Sequence, residues 1–331
     1  MSGSYDGNDG NDGNAANAGG GGNATSMSAG WFFADRVNLP FVTEPDTGPN
    51  AVPPETIGEL TVIPNIARFP ARNWSAEWLS WLALIEFAAS NWRTIDPTTV
   101  VKWWPKWVPA PPAPGGPLID WATLNPANVQ TEINDLVTAA ANERADALGE
   151  ILSQANEFIS YFLNLLTANP GAYPQTTKVL TIASQVGTFV AMYFKSRYKR
   201  PRASQLCPAL LPPIEVPGHA SFPSGHSTQA HLMALCMGDV LNGLPQEPDG
   251  ADDLWTLADR IARNREIAGL HYASDTAAGK AIAQVTLPQL HASVPIFLAG
   301  TSLAGKSLTG TTIYRHAVNL AQAEWQPGDG P

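Results

Sequence analysis

The stretch Val216–His231, VPGHASFPSGHSTQAH, holds three of the six histidines in a chain of 331 residues. Pro223, Ser224 and Gly225 make a turn that passes straight into an apolar run, so a helix is predicted over Ser224–Leu241 with Ser224 as its cap. Gly225 lets the backbone approach a bound group closely. The N–H groups of the first helical turn then form an anion site. His226 stands over that site, placed to move a proton near neutral pH.

Working outward from this helix, apolar residues recur at helical spacing over Ser75–Trp92, Thr176–Lys199, Asp252–Ala268 and Ser274–Leu287. Asn128–Ala168 reads as one long helix or two, with LGEILSQANEFISYFLNLL strongly amphipathic. Runs of Val, Ile and Thr with period two are scarce, so the fold class is all-α, a helical bundle. Residues 1–30 are nearly all Gly, Asn, Asp, Ser and Ala and are expected to be a disordered tail. Residues 31–331 are expected to form a single all-helical catalytic domain with its motif core at 176–290, the part before Trp74 wrapping the body irregularly. Trp103–Pro117 reads as a proline-rich connector whose tryptophans pack on helices. No element is predicted past Ser293.

The net charge of −10 argues against nucleic acid or an anionic membrane as a partner, so a bound anion needs a local basic cluster. The start MSGSYDGNDG has neither a charged nor an apolar region of a signal peptide. The longest apolar run, Val179–Phe194, is broken by polar residues and falls short of the ~20 needed for a membrane span. These features predict a soluble chain, with the cytoplasm as the default location. Cys207 and Cys236 lack the spacing of a metal site and are expected to be buried thiols.

Three segments carry chemistry. In KSRYKRPRA, Lys195 and Arg202 lie seven apart, and Pro201 ends the helix so that Arg202 can swing inward. In FPSGHSTQAH, the Ser224 turn and His226 follow. In NREIAGLHYASD, Asp275 lies four residues after His271 and can accept its Nδ1–H, leaving Nε2 as nucleophile or ligand. Together with Arg265 these groups describe a pocket for a tetrahedral oxyanion.

The order K-x6-R, then P-S-G-H, then R-x5-H-x3-D resembles the type 2 phosphatidic acid phosphatase superfamily. That superfamily includes bacterial acid phosphatases, lipid phosphatases and vanadium-dependent haloperoxidases. The resemblance covers Lys195–Asp275 and implies that Lys195, Arg202, Ser224, Gly225 and Arg265 hold the oxygens of phosphate or vanadate. It implies that His271 is the phosphatase nucleophile or the vanadium ligand, with Asp275 as its partner and His226 as the acid–base residue. Two positions depart from the pattern: Ala203 replaces a proline, and Asn264 replaces a serine.

HSTQ after the turn is similar to bromoperoxidases, as is His219, seven residues before His226 and so placed to tune peroxide chemistry. The resemblance therefore implies a vanadate-dependent haloperoxidase using hydrogen peroxide, bromide or iodide and a small organic acceptor. The compact intervals, 21 residues between Arg202 and Ser224 and 40 between Ser224 and Arg265, favour the alternative. That alternative is a soluble acid phosphatase hydrolysing phosphate monoesters through a phospho-histidine. Dimers are frequent in the superfamily, and the tryptophan-rich segments leave room for one.

Overall fold

The computed structural model describes residues 74–95, 126–241, 250–298, 302–303 and 306–326. The expected tail, nearly all of the expected wrapping and the proline-rich connector lie outside them. From Ala76 onward the described residues belong to one compact unit.

Its elements are α1 (Ala76–Ala88), α2 (Pro126–Asn142), α3 (Arg144–Ser153), α4 (Ile159–Leu165), α5 (Pro174–Tyr198), α6 (Ala203–Leu206), α7 (Gly225–Leu241), α8 (Gly250–Ile267), α9 (Ala273–His291) and α10 (Ile313–Glu324). A two-residue hairpin, β1 (Ser302–Leu303) with β2 (Lys306–Ser307), precedes α10. The fold class is all-α.

Helix α7 is the centre, packed by α5, α8 and α9, while α1 and α10 cover α5. Both α5 and α7 are buried on nearly every side, as a helix enclosed by neighbours must be. Two glycines allow the closest approaches. A Cβ on Gly187 would lie 3.0 Å from Gln229 Cα, and one on Gly279 would lie 2.7 Å from both the Ser224 carbonyl and Ser227 Cβ. The second contact seats the mouth of α7 directly on α9. Among the described residues, no helix is long and apolar enough to cross a membrane.

Helix ends follow capping chemistry. Pro174 opens α5, where Glu324 accepts the N–H groups of Gln175 and Thr176 at 2.7 and 2.8 Å. Lys199, at φ 48°, closes it in the left-handed region. Asn128–Ala168 differs from the sequence expectation, because it forms three helices. The chain breaks at Glu143 and again over 154–158, where Gln154 and Phe158 turn inward and Glu157 accepts the Ser160 N–H at 2.9 Å. Helix α10 is also unexpected; the Thr312 hydroxyl caps it by accepting the Arg315 N–H. Cys236 is buried as expected, but Cys207 is only half-buried.

Candidate active site

Lys195 projects from the last turn of α5, and Arg200 and Arg202 follow on the extended segment after Lys199. Ser224 caps α7, and its hydroxyl accepts the Ser227 N–H at 3.3 Å. Its own N–H donates to the Asp275 carbonyl at 3.0 Å, which ties the turn to the start of α9. Arg265 lies in the last turn of α8, and its carbonyl accepts the N–H groups of Leu270 and His271. Lys195, Arg202, Ser224, His226, Arg265, His271 and Asp275 are each no more than 3% exposed. The structure thus gathers the segments read separately in the sequence into one buried network.

The histidine–aspartate pair forms as expected, with His271 Nδ1 3.1 Å from Asp275 Oδ2. Nε2 lies 3.1 Å from an Arg202 guanidinium nitrogen. A guanidinium only donates, so Nε2 accepts and Nδ1 carries the proton. Burial pushes the His271 pKa down to about 3, helped by the Arg202 and Lys195 cations and opposed by Asp275. The ring is therefore a neutral imidazole with its lone pair directed at the Arg202 guanidinium. Burial alone would raise the Asp275 carboxyl. The Arg200 charge and the bonds from His271 and Ser221 outweigh it and hold Asp275 well below the usual carboxylate range.

Backbone carbonyls meet the cations. Lys195 donates to Ala220 and Ser221 carbonyls at 2.9 and 3.1 Å, and Arg265 to the Ile151 carbonyl at 2.8 Å. Arg202 donates to the carbonyls of His219 and Leu270. His226 Nε2 carries a proton, which it donates to the Gln154 carbonyl at 2.9 Å, while Phe158 packs along its ring with centroids 5.1 Å apart. His219 joins the same cluster through Arg202, whose second terminal nitrogen lies 3.0 Å from Nδ1. A cleft of about 380 Å³ has Glu143, Asp146, Glu150, Arg260, Arg263 and Asn264 in its lining, and Asn264 also bonds to Gln154.

Both departures from the motif have a local reason. Ala203 is the first residue of α6, a position that accepts proline as well. Asn264 donates to Glu150 and Gln154 at 2.8 and 2.9 Å, which fixes the turn that presents the Gln154 carbonyl to His226. Two contributors escaped the sequence reading. Arg200 donates to Asp275 Oδ1 at 2.7 Å and to Glu132 at 2.9 Å. Arg200 precedes Pro201, an Arg-Pro pair two residues before the motif arginine, and Glu132 left no trace in the sequence.

No family model matches the chain. Decaprenylphosphoryl-5-phosphoribose phosphatase of Mycobacterium tuberculosis, in two strains, is 31% identical over 135 residues, 40% of this chain and 70% of the relative. A solved transmembrane PAP2 type phosphatidylglycerolphosphate phosphatase from Bacillus subtilis superposes on 66% of this chain and 94% of its own, with TM-score 0.37 and 14% identity. That likeness is too remote to argue from.

The relative corrects one expectation. The chain was expected to be a vanadium-dependent haloperoxidase, an oxidoreductase with vanadium on His271 using peroxide and halide, yet the protein it matches is a phosphatase. The residues that had favoured the peroxidase explain the error. Thr228 donates to the Ser224 carbonyl within α7, and Gln229 donates across to the Ser184 hydroxyl of α5. The first is a buried bond inside the helix and the second a buried bond between packed helices. His219 holds Arg202, a service either chemistry could use.

Proposed function

The chain belongs to the type 2 phosphatidic acid phosphatase superfamily, and from that membership we propose that it hydrolyses phosphate monoesters through a phospho-histidine at His271. The observation that carries this reading is the state of that ring: Nδ1–H on Asp275 and an Nε2 lone pair facing the Arg202 guanidinium.

In this reading the ester's phosphoryl oxygens take the donors of Lys195, Arg202 and Arg265 that now rest on backbone carbonyls, together with the first turn of α7. The His271 Nε2 lone pair forms an N–P bond while the P–O bond to the alcohol breaks. The leaving oxygen takes the Nε2 proton of His226 as the imidazolium, which is left a neutral imidazole. Positive charge developing on the His271 ring is stabilised by Asp275. Water then gives a proton back to His226 and attacks phosphorus, the N–P bond breaks, and inorganic phosphate leaves. Orthovanadate, expected from the sequence as a resident cofactor, becomes a competitor for the oxyanion pocket.

The direct test is p-nitrophenyl phosphate turnover by the purified chain, with a phosphorylated pentose beside it because the relative's name specifies one. Phosphate release suppressed by micromolar to millimolar orthovanadate is the expected result. Absence of phosphate release from every monoester would end this reading.

A further inference from the structure

Asp275 is fully buried, and its two oxygens are divided between two tasks. Oδ2 accepts from His271 Nδ1 at 3.1 Å, from the Ser221 hydroxyl at 2.5 Å and from the Tyr272 N–H at 3.2 Å. Oδ1 accepts from Arg200 at 2.7 Å. The Arg200 guanidinium is itself held on three sides. It donates to Glu132 Oε2 at 2.9 Å and to the Ser274 hydroxyl at 2.7 Å, and it stacks on the Tyr272 ring, 3.7 Å from the centroid. Glu132, from α2, uses its other oxygen to accept the Ser274 N–H at 2.8 Å, satisfying an N–H of the first turn of α9.

We propose that Arg200 and Glu132 are positioning residues for the hydrolysis, a fork that clamps Asp275 so that His271 keeps its Nε2 lone pair on the phosphorus. The inference rests on the hydrolase reading above. A buried carboxylate with one oxygen unheld can swing about its terminal torsion, exchange its oxygens and let the imidazole it orients turn with it. A planar guanidinium that is bonded at both ends and stacked on a ring prevents that rotation. A lysine cannot, because its single ammonium neither forks nor stacks. Arg200 acts on His271 through Asp275 and leaves the phosphate to Lys195, Arg202 and Arg265. Its loss should therefore disturb the chemical step far more than the binding of an oxyanion.

The experiment compares Arg200→Met, Arg200→Lys and Glu132→Gln with the unaltered chain on p-nitrophenyl phosphate, with orthovanadate inhibition measured in parallel. Arg200→Met should lower kcat about 10²-fold, the effect of a misaligned reacting group, while KM and vanadate inhibition stay within about threefold of the parent. Guanidinium ion should restore part of that kcat and leave the parent unchanged, whereas Arg200→Lys should stay as slow as Arg200→Met. Glu132→Gln should lower kcat about three- to tenfold and, being nearly isosteric, decides the matter should Arg200→Met not fold. Unchanged kcat in a folded variant overturns the proposal, as does a loss of vanadate binding in step with kcat. If the parent itself releases no phosphate, the hydrolase reading falls separately. The clamp is then decided by the His271 ring nitrogen resonances, which should show an Nδ1–H tautomer in the parent that becomes mixed in Glu132→Gln. An unchanged tautomer overturns the clamp.

Discussion

Among the described residues, two buried histidines are bonded to aspartates in different regions, and their second nitrogens separate them. His271, at the start of α9, has Nδ1 3.1 Å from Asp275, and its Nε2 faces the Arg202 guanidinium, a donor. His231, in the middle of α7, has Nε2 3.0 Å from Asp259 of α8, and its Nδ1 faces the Ser227 carbonyl at 2.7 Å, an acceptor. His231 therefore has an acceptor against each nitrogen, and with Lys280 bonded to the same Asp259 it ties α7, α8 and α9 together. Ser227 beside it suggests a nucleophilic triad, but its hydroxyl donates to the Thr276 carbonyl. The two histidine–aspartate distances are alike; what differs is the group facing the other nitrogen, a donor at His271 and an acceptor at His231.

Replacing each histidine should break this comparison cleanly. His271→Ala should lower phosphate release by at least about 10⁴-fold, as loss of a nucleophile does, while its thermal unfolding remains cooperative. His231→Leu should leave kcat within about twofold and cost about 1–2 kcal/mol of stability, the loss of two hydrogen bonds with one partner still hydrated. Kinetics and urea titrations on the same preparations check both. Equal losses of activity in the two variants would erase the distinction.

Acid sharpens the comparison by a smaller amount. The folded-state pKa of His271 is about 3, far below the 6.5 of an exposed imidazole. Between those values the unfolded chain binds one more proton at this position than the native chain does. That contribution to stability is therefore lost progressively as pH falls, by about 2 kcal/mol between pH 7 and pH 5. Urea titrations of the parent against His271→Gln should show the shallower pH slope in the variant. By the same reasoning the nucleophile stays neutral in mildly acidic solution, so kcat/KM should show no acid-side decline centred near pH 6.5.

Much of the site was legible because its groups sit close together in three segments: Lys195 and Arg202, the Ser224 turn with His226, and Arg265 with His271 and Asp275. Helical spacing and turn chemistry were enough to expect these residues in one cluster and an all-α body. The clamp was not legible, since Glu132 lies 68 residues before Arg200 and meets it only through the packing of α2. The turn over 154–158 was hidden inside an amphipathic pattern that continues across it. Thr228 and Gln229 misled because HSTQ is similar to bromoperoxidases, whereas both side chains are buried and spent on hydrogen bonds to Ser224 and Ser184. Helix α10 carried a readable cap at Thr312 with apolar positions behind it, Ile313, Tyr314, Ala317, Val318 and Ala321.

The central claim is that His271 Nε2 bonds transiently to phosphorus. Rapid acid-free quenching of the chain with a phosphorus-32 monoester, followed by peptide mapping, tests it most directly. The expected result is base-stable, acid-labile label on His271, absent from His271→Ala and accumulating in a His226 variant that cannot activate water. Turnover with no label on His271, or label that survives in His271→Ala, would contradict the account.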